Sequence, residues 1–336
     1  MPLKPIRTVE MHTGGEPVRI VVAGFPPIPG DTILDKRRYA RDHLDHLRRL
    51  LMFEPRGHAD MYGVIPVEPD HPDADLAVLF VHNEGYSTMC GHATIAVGRW
   101  AVDSGLVPAA GAETPVAIQV PSGLVKAIVD TGGLEPGRVR FESVPSFVAQ
   151  ANLPVVVPGH GEVTVDIAFG GAFYAFADAS AYGLDLETSR LRDLVDAAWA
   201  TTVAVGDADV TLPHPDHPDL QFLYGTILTD GNDSWSDEPT RNLCVFAERQ
   251  VDRSPTGSGV SARIAIQRSR DQIAPGQIRL FESIVGSRFT GRSVADTEVG
   301  GIPAVVVEVG GRSHYVGEST FTLEDDDDLP AFLLRE

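Results

Sequence analysis

The sequence predicts an α/β (α+β) protein of two pseudo-symmetric halves, in which each half is a curved sheet around one nearly apolar helix. Two glycine-rich segments carry this prediction, residues 87–94 (STMCGHAT) and residues 252–262 (DRSPTGSGVSA). Aligning Cys90 with Thr256 also aligns Gly91 with Gly257, and the two positions are separated by about half the chain. Strand-like runs precede each segment and a run of small and apolar residues follows it, so the halves repeat one plan.

We expect two domains of ordinary size, because 336 residues leave room for two hydrophobic cores. The first comprises residues 1–150 with about 312–336 and carries Cys90. The second comprises residues 151–311 and carries Thr256. A hydrophobic content of 43% and a charged content of 22% are typical of soluble globular proteins.

In the first half, alternating apolar and polar residues predict strands, with glycine- and proline-rich turns between them. Residues 4–24 read as strand, turn and strand, and the turn at 12–17 is either part of the functional site or an ordinary glycine-rich hairpin. Leucines at helical spacing predict a solvated helix over 31–51. The small and apolar run after Cys90 predicts a helix, enclosed by sheet, to about Asp103. Further strands are expected at 61–66, 76–82, 115–120, 124–129 and 138–144.

The second half follows the same order. A strand over 163–168 ends at Gly170, and an amphipathic helix is predicted over 184–199. The turn at 252–259 leads into a second helix, from about Ser258 to Ser269. The acidic run at 324–328 is expected to be solvated. Further strands are expected at 222–229, 243–247, 277–285, 304–309 and 313–316.

The formal net charge of −20 disfavours nucleic acid and anionic membranes as partners. No apolar run is long enough to span a bilayer, and the N-terminal residues lack an apolar signal core, so a cytoplasmic protein is expected. An anionic substrate must therefore be attracted by local features such as helix N-termini. The sequence does not determine the oligomeric state, and a homodimer is one of the alternatives.

Metal and cofactor chemistry finds little support in the composition. His43 and His46 are predicted to be surface residues, because no third metal ligand is nearby. Residues 216–219 (DHPD) are predicted to be a polar loop, because this stretch is proline-rich and has no regular ligand spacing. Cys244 lies in an apolar run and is predicted to be core. The few lysines lack a glycine-rich phosphate-binding context, which disfavours pyridoxal phosphate; they are Lys4, Lys36 and Lys126.

Cys90 is the residue best placed for chemistry. A helix N-terminus leaves backbone N–H groups unpaired and carries partial positive charge, so it binds carboxylates and favours a thiolate. Glycine directly after the cysteine lets a ligand approach the backbone. Two such helix N-termini would hold a small anion between one thiol and the hydroxyl of Thr256.

The two glycine-rich segments resemble the signature segments of the proline racemase family. Three other segments resemble the family in the same order along the chain: residues 12–17 (HTGGEP), 166–174 (DIAFGGAFY) and 286–291 (GSRFTG). The resemblance implies the fold of diaminopimelate epimerase and proline racemase, with two pseudo-symmetric halves and the site in the cleft. Racemases and epimerases of the family have cysteine at both key positions. Thr256 departs from that pattern, and the Cys90–Thr256 pair resembles the branch that dehydrates trans-3-hydroxy-L-proline.

The resemblance also implies roles for individual residues. Cys90 would accept the α-proton, and Asp252 would pair with the ring nitrogen of an imino acid, although the residue pattern alone favours a turn or capping aspartate. Thr256 is too weak an acid or base to return a proton without an activating partner, so elimination is favoured over racemisation. No metal or organic cofactor is required. Backbone N–H groups would hold the substrate carboxylate, and they belong to Gly91, His92, Gly257 and Ser258.

Three other functions stay open. A proline racemase or 4-hydroxyproline 2-epimerase could work with one cysteine and a water molecule. A non-catalytic imino-acid binding protein could keep the anion clamp, although a mere binder has little use for a polarised thiol. A hydrolase with Cys90 as nucleophile is disfavoured, because no histidine or aspartate partner is evident from the sequence.

Overall fold

The computed structural model describes residues 4–208, 210–212, 214 and 218–334. It divides into two compact units, one formed by Met1–Val139 with Arg312–Glu336 and the other by Arg140–Gly311. None of the helices in the described part of the chain is long and apolar enough to cross a membrane. The predicted division into a domain of residues 1–150 with about 312–336 and a domain of residues 151–311 stays a prediction.

Helices and strands are numbered in chain order. The α-helices of the described residues are α1 (Ile33–His43), α2 (Asp45–Met52), α3 (Gly91–Asp103), α4 (Leu191–Asp207) and α5 (Gly257–Ser269). The strands of the first half are β1 (Ile6–Thr13), β2 (Glu16–Ala23), β3 (Tyr62–Val67), β4 (Leu76–His82), β5 (Tyr86–Ser87), β6 (Glu113–Val120), β7 (Gly123–Asp130) and β8 (Arg138–Glu142). The others are β9 (Ser146–Val157), β10 (Gly161–Phe169), β11 (Phe173–Asp178), β12 (Leu223–Thr229), β13 (Thr240–Phe246), β14 (Gln250–Asp252), β15 (Arg279–Ser283), β16 (Arg288–Val299) and β17 (Ile302–Phe321).

The first unit is built on two parallel crossovers. An antiparallel hairpin, β1–β2, is followed by α1 and α2 and then by β3, which is parallel to β2. Next come β4 and β5, each antiparallel to its predecessor. Helix α3 then connects to β6, which is parallel to β4, and β7 closes a second hairpin. Residues 313–321 of β17 pair with β1.

The second unit repeats this order strand for strand. Hairpin β10–β11 is followed by α4 and the parallel strand β12. Strands β13 and β14 follow in antiparallel pairs. Helix α5 connects to β15, which is parallel to β13, and β16 closes the hairpin. Helix α5 is therefore the topological equivalent of α3, as the alignment of Cys90 with Thr256 predicts.

Both equivalent helices are buried, which explains their small and apolar sequences. Every residue of α3 from Gly91 to Gly98 and every residue of α5 from Gly257 to Gln267 is buried. The buried charge of Arg263 on α5 is balanced, because its guanidinium donates to Asp233 and to the hydroxyl of Thr240. A buried helix with an ionic anchor can hold its N-terminus in a defined place.

Five strands were not predicted: β5, β9, β11, β14 and β16. In β9, the polar residues Gln150 and Asn152 interrupt the alternation, and the strand is held by its antiparallel pairing with β10. Such strands are held by pairing with their neighbours in the sheet, so the local alternation of apolar and polar residues does not reveal them. Strand β17 continues through the interval between the two predicted strands at 304–309 and 313–316.

The two predicted surface helices also differ in detail. The helix predicted over 31–51 divides at Leu44, which ends α1 and begins α2. The helix predicted from 184 begins only at Leu191. The cause is the side chain of Asp185, which accepts hydrogen bonds from the backbone N–H groups of Glu187 and Thr188. This local turn competes with helix formation.

The structure confirms only some of the predictions for the polar segments. His43 and His46 are exposed, as predicted. Within the acidic run, however, Asp327 is anchored by an ion pair of 3.0 Å with Arg56. Asp216 and His217 of the predicted polar loop lie outside the described residues. Among the residues that are described, no group of three or more His, Cys, Asp or Glu side chains could hold a metal ion.

Candidate active site

Cys90 is the N-terminal cap of the buried helix α3. Its backbone is extended, with φ −148°, and its Sγ accepts a hydrogen bond of 3.4 Å from the backbone N–H of Ala93. The carbonyl of Cys90 accepts from the hydroxyl of Thr94 at 2.7 Å. The thiol is thus held against the first turn of the helix, where the backbone N–H groups favour its anionic form.

The His92 side chain lies beside this thiol. Its Nδ1 is 3.1 Å from Sγ of Cys90, and both side chains are buried. The ring is held edge-on against Tyr62, with ring centroids 4.8 Å apart. No partner for Cys90 is evident from the sequence, although His92 follows it by two residues at the start of the helix. An imidazole at this distance can stabilise the thiolate and exchange a proton with it.

His82 also packs against Tyr62. The two rings are stacked with their centroids 5.8 Å apart. Burial, with the positive charges of Arg48 and Arg37, lowers the pKa of His82 from 6.5 to about 3. Its Nδ1 accepts a hydrogen bond of 3.2 Å from the backbone N–H of Glu84. His82 is therefore a neutral packing residue in the folded protein.

This buried imidazole should make folding sensitive to acid. The unfolded chain binds a proton at His82 below pH 6.5, whereas the folded protein does so only near pH 3, so stability is present above pH 6.5 and is lost as the pH falls. We expect a loss of about 2 kcal/mol in the free energy of unfolding between about pH 7 and pH 5 from this group. Denaturant unfolding of His82→Gln should show a shallower pH dependence. His46→Gln, at an exposed site, is the matched control, and equal slopes in the two variants would contradict the prediction.

Thr256 caps the equivalent helix α5 in a different way. Its backbone has φ 63°, a left-handed conformation that a β-branched residue rarely adopts. Its hydroxyl donates a hydrogen bond of 2.8 Å to Oδ2 of Asp252 instead of turning to the helix. Such backbone strain costs about 1–3 kcal/mol and is concentrated at functional sites, where the surrounding structure maintains it.

Asp252 organises the turn in front of α5. Its Oδ1 accepts from the backbone N–H of Ser254 at 2.7 Å, while Oδ2 holds Thr256. Asp252 therefore has the structural role in the turn that the residue pattern favours. A carboxylate has about four acceptor sites, so capacity for a substrate N–H is left. Pairing of Asp252 with the ring nitrogen stays a prediction.

Ser258 lies in the first turn of α5 and has a partner that sequence reasoning missed. Its hydroxyl is 2.7 Å from the hydroxyl of Tyr174, and both groups are buried. Tyr174 belongs to the family-like segment 166–174, to which no role was assigned. Gly257, the other predicted first-turn residue, is also buried.

The predicted site residues thus form two groups, one in each unit. Cys90, Gly91 and His92 surround the N-terminus of α3. Asp252, Thr256, Gly257 and Ser258 surround the N-terminus of α5. Each group combines an N-cap residue with the backbone N–H groups of a first helical turn, a combination suited to binding a carboxylate. Cys244, the other cysteine, is fully buried in the core, as predicted.

Comparison with known proteins identifies the family and the fold of the chain. The family model described as proline racemase matches residues 8–332. The chain belongs to the proline racemase family. The solved structure of a hydroxyproline epimerase from Agrobacterium vitis with bound trans-4-hydroxy-L-proline has a TM-score of 0.92 and 29% identity, and the match covers 99% of this chain and 97% of that one. The predicted fold class is therefore confirmed.

Two relatives within the proline racemase family have names that specify one reaction. The trans-L-3-hydroxyproline dehydratase of Xenopus tropicalis is 58% identical over 333 residues, covering 98% of this chain and 95% of the relative. The trans-3-hydroxy-L-proline dehydratase of Homo sapiens is 57% identical over 336 residues, with the same coverage. Identity at this level extends through both halves of the family fold.

Proposed function

We propose that this protein is a hydro-lyase that converts trans-3-hydroxy-L-proline to Δ1-pyrroline-2-carboxylate without a metal or organic cofactor. One observation carries the proposal: of the two equivalent helix N-termini, one has Cys90 with its thiol at the N-cap position, and the other has Thr256, whose hydroxyl donates to Asp252. The descriptions of the relatives at 57% and 58% identity support the same reaction.

Substrate binding follows from the chemistry of the two helix N-termini. In our proposal, the substrate carboxylate accepts hydrogen bonds from the backbone N–H groups of the first turns, at Gly91 and His92 and at Gly257 and Ser258. Asp252 accepts a hydrogen bond from the ring nitrogen. Preorganised donors of this kind also stabilise the negative charge that moves onto the carboxylate when the α-proton leaves.

The reaction needs one acid–base group. The thiolate of Cys90 removes the α-proton, so an S–H bond forms as the C2–H bond breaks. The electron pair forms a C2=C3 double bond and the C3–O bond breaks, and the departing oxygen takes the proton from sulfur and leaves as water. The α-hydrogen and the hydroxyl lie on the same ring face, because the hydroxyl is trans to the carboxylate. The enamine product then moves its N–H proton to C3 and becomes Δ1-pyrroline-2-carboxylate.

Thr256 does not supply the second acid–base group that racemisation requires. Its only proton is directed at Asp252. A carboxylate is far too weak a base to ionise an aliphatic alcohol near neutral pH. The oxygen lone pairs of Thr256 remain available to accept a hydrogen bond from the substrate. We therefore assign Thr256 to substrate binding and to the exclusion of proton return.

The deciding experiment incubates the purified protein with trans-3-hydroxy-L-proline, without added cofactor, and follows pyrroline-2-carboxylate. A parallel incubation with L-proline and 4-hydroxyproline in deuterium oxide follows inversion at the α-carbon. Product from the 3-hydroxylated substrate alone supports the proposal. Inversion without elimination would replace it with a racemase or epimerase, and saturable binding without either product would replace it with a binding protein. Light scattering on the same preparation tests whether the protein is a homodimer.

A further inference from the structure

Segment 166–174 resembles the family, yet the mechanism above gives it no task. The structure places it as the hairpin β10–β11, with Gly170 and Gly171 in the turn. A Cβ atom at Gly170 would lie 2.1 Å from the carbonyl oxygen of Ser258 and 2.7 Å from the backbone nitrogen of Ala262. The turn is therefore in direct backbone contact with the first turns of α5, and only glycine permits that approach.

We propose that Tyr174 is a positioning residue, which acts through Ser258 to orient the donors at the N-terminus of α5 toward the substrate carboxylate. This inference rests on the proposed function, because it assigns Ser258 to carboxylate binding. The hydroxyls of Tyr174 and Ser258 are 2.7 Å apart and buried. Their residues are separated by 84 positions, so the bond ties the hairpin to the helix.

The ring of Tyr174 is itself held rigidly. It is among the largest fully buried side chains and packs edge-on against Tyr224, with centroids 5.7 Å apart. Tyr224 in turn is stacked on Phe246, with centroids 5.3 Å apart. These aromatic contacts hold the phenol in place, so its hydroxyl can define the rotamer of Ser258.

A phenol is a stronger hydrogen-bond donor than an aliphatic alcohol, because its pKa is near 10. When Tyr174 donates to Ser258, the serine proton is directed away from the tyrosine and is available to the substrate. Hydrogen bonds in such a chain polarise one another. The donor therefore strengthens as negative charge develops on the carboxylate, and its contribution is larger in the transition state than in the ground state.

The test is a double-mutant cycle with Tyr174→Phe and Ser258→Ala, and Tyr182→Phe is the matched control. The hydroxyl of Tyr182 makes a comparable buried bond of 2.5 Å, to Thr201 on α4. We expect Tyr174→Phe to lower kcat for the elimination about 3- to 10-fold, the loss of one hydrogen bond between hydroxyl groups. Tyr182→Phe should lower the melting temperature about as much as Tyr174→Phe does, but it should leave kcat within about twofold of the wild-type value.

The cycle separates positioning from general stability. If Tyr174 acts through Ser258, Tyr174→Phe should change kcat by less than about twofold in the Ser258→Ala background. Independent, multiplying effects of the two substitutions would overturn the inference. A Tyr174→Phe variant with wild-type kcat would overturn it as well, whatever its melting temperature.

Binding of L-proline gives a readout that does not require elimination. L-proline has the carboxylate but no 3-hydroxyl, and its Kd should rise about 3- to 10-fold in Tyr174→Phe, in accordance with a weakened hydrogen bond. If the wild type does not eliminate water but this effect is present and disappears in the Ser258→Ala background, the proposed function fails and the positioning role holds. If elimination occurs and both kcat and Kd are unchanged in Tyr174→Phe, the positioning role alone fails.

Discussion

Replacement of Cys90 by serine is expected to lower kcat for the elimination at least about 10³-fold and to leave the fold intact. The rate falls because an alcohol is not a base near neutral pH, and the thiol carries both proton transfers. The fold persists because serine is a favourable N-cap and can accept from Ala93 N–H as Sγ does. Turnover by quantified pyrroline-2-carboxylate and thermal unfolding of the same preparation measure the two effects.

Two further substitutions show whether the effect of Cys90→Ser is specific to this thiol. Cys244→Ala removes the other of the two thiols and should retain activity, because Cys244 is a core residue in β13. His92→Gln removes the imidazole that lies 3.1 Å from Sγ and should lower kcat by about 10- to 100-fold, less than the loss of the thiol. A folded Cys90→Ser protein with substantial turnover would refute the one-base mechanism.

Replacement of Thr256 by cysteine is expected to add a new reaction, α-proton inversion of proline-like substrates. A thiol at this position would lie beside the carboxylate of Asp252, whose negative charge keeps the thiol protonated and therefore able to return a proton. The elimination should fall about tenfold, since the hydroxyl bond to Asp252 is lost. Cysteine also lacks the β-branch that makes φ 63° unfavourable, so the variant should fold.

The matched control for this substitution is Thr256→Ser. Serine keeps the hydroxyl that donates to Asp252 and supplies no thiol, so it should retain elimination and show no inversion. Deuterium at the α-carbon of recovered proline, read by mass spectrometry with chiral separation, measures the new reaction. Absence of inversion in a folded, substrate-binding Thr256→Cys protein would mean that residue 256 does not by itself decide between elimination and racemisation.

Much of this protein is determined by its sequence alone. The repeat of glycine-rich turn and apolar helix placed Cys90 and Thr256 at equivalent helix N-termini, and the structure has them there. Helix starts are readable in this way because caps, glycines and small-residue runs act locally. The family resemblance followed from the same segments. Strands β9 and β11 were not predicted, because pairing with neighbouring strands, and not a local alternation of apolar and polar residues, holds them in the sheet.

The tertiary structure decided which side chains meet. The bond between Tyr174 and Ser258 joins residues 84 positions apart, and the left-handed backbone of Thr256 turns its hydroxyl to Asp252. Strand register sets such contacts, since a shift of one residue moves every side chain to the other face of the sheet. The rotamer of His92 beside Cys90 likewise depends on packing against Tyr62. Residue types and their order therefore identify the chemistry of the site. The packing of separate segments determines which side chains contact the site residues.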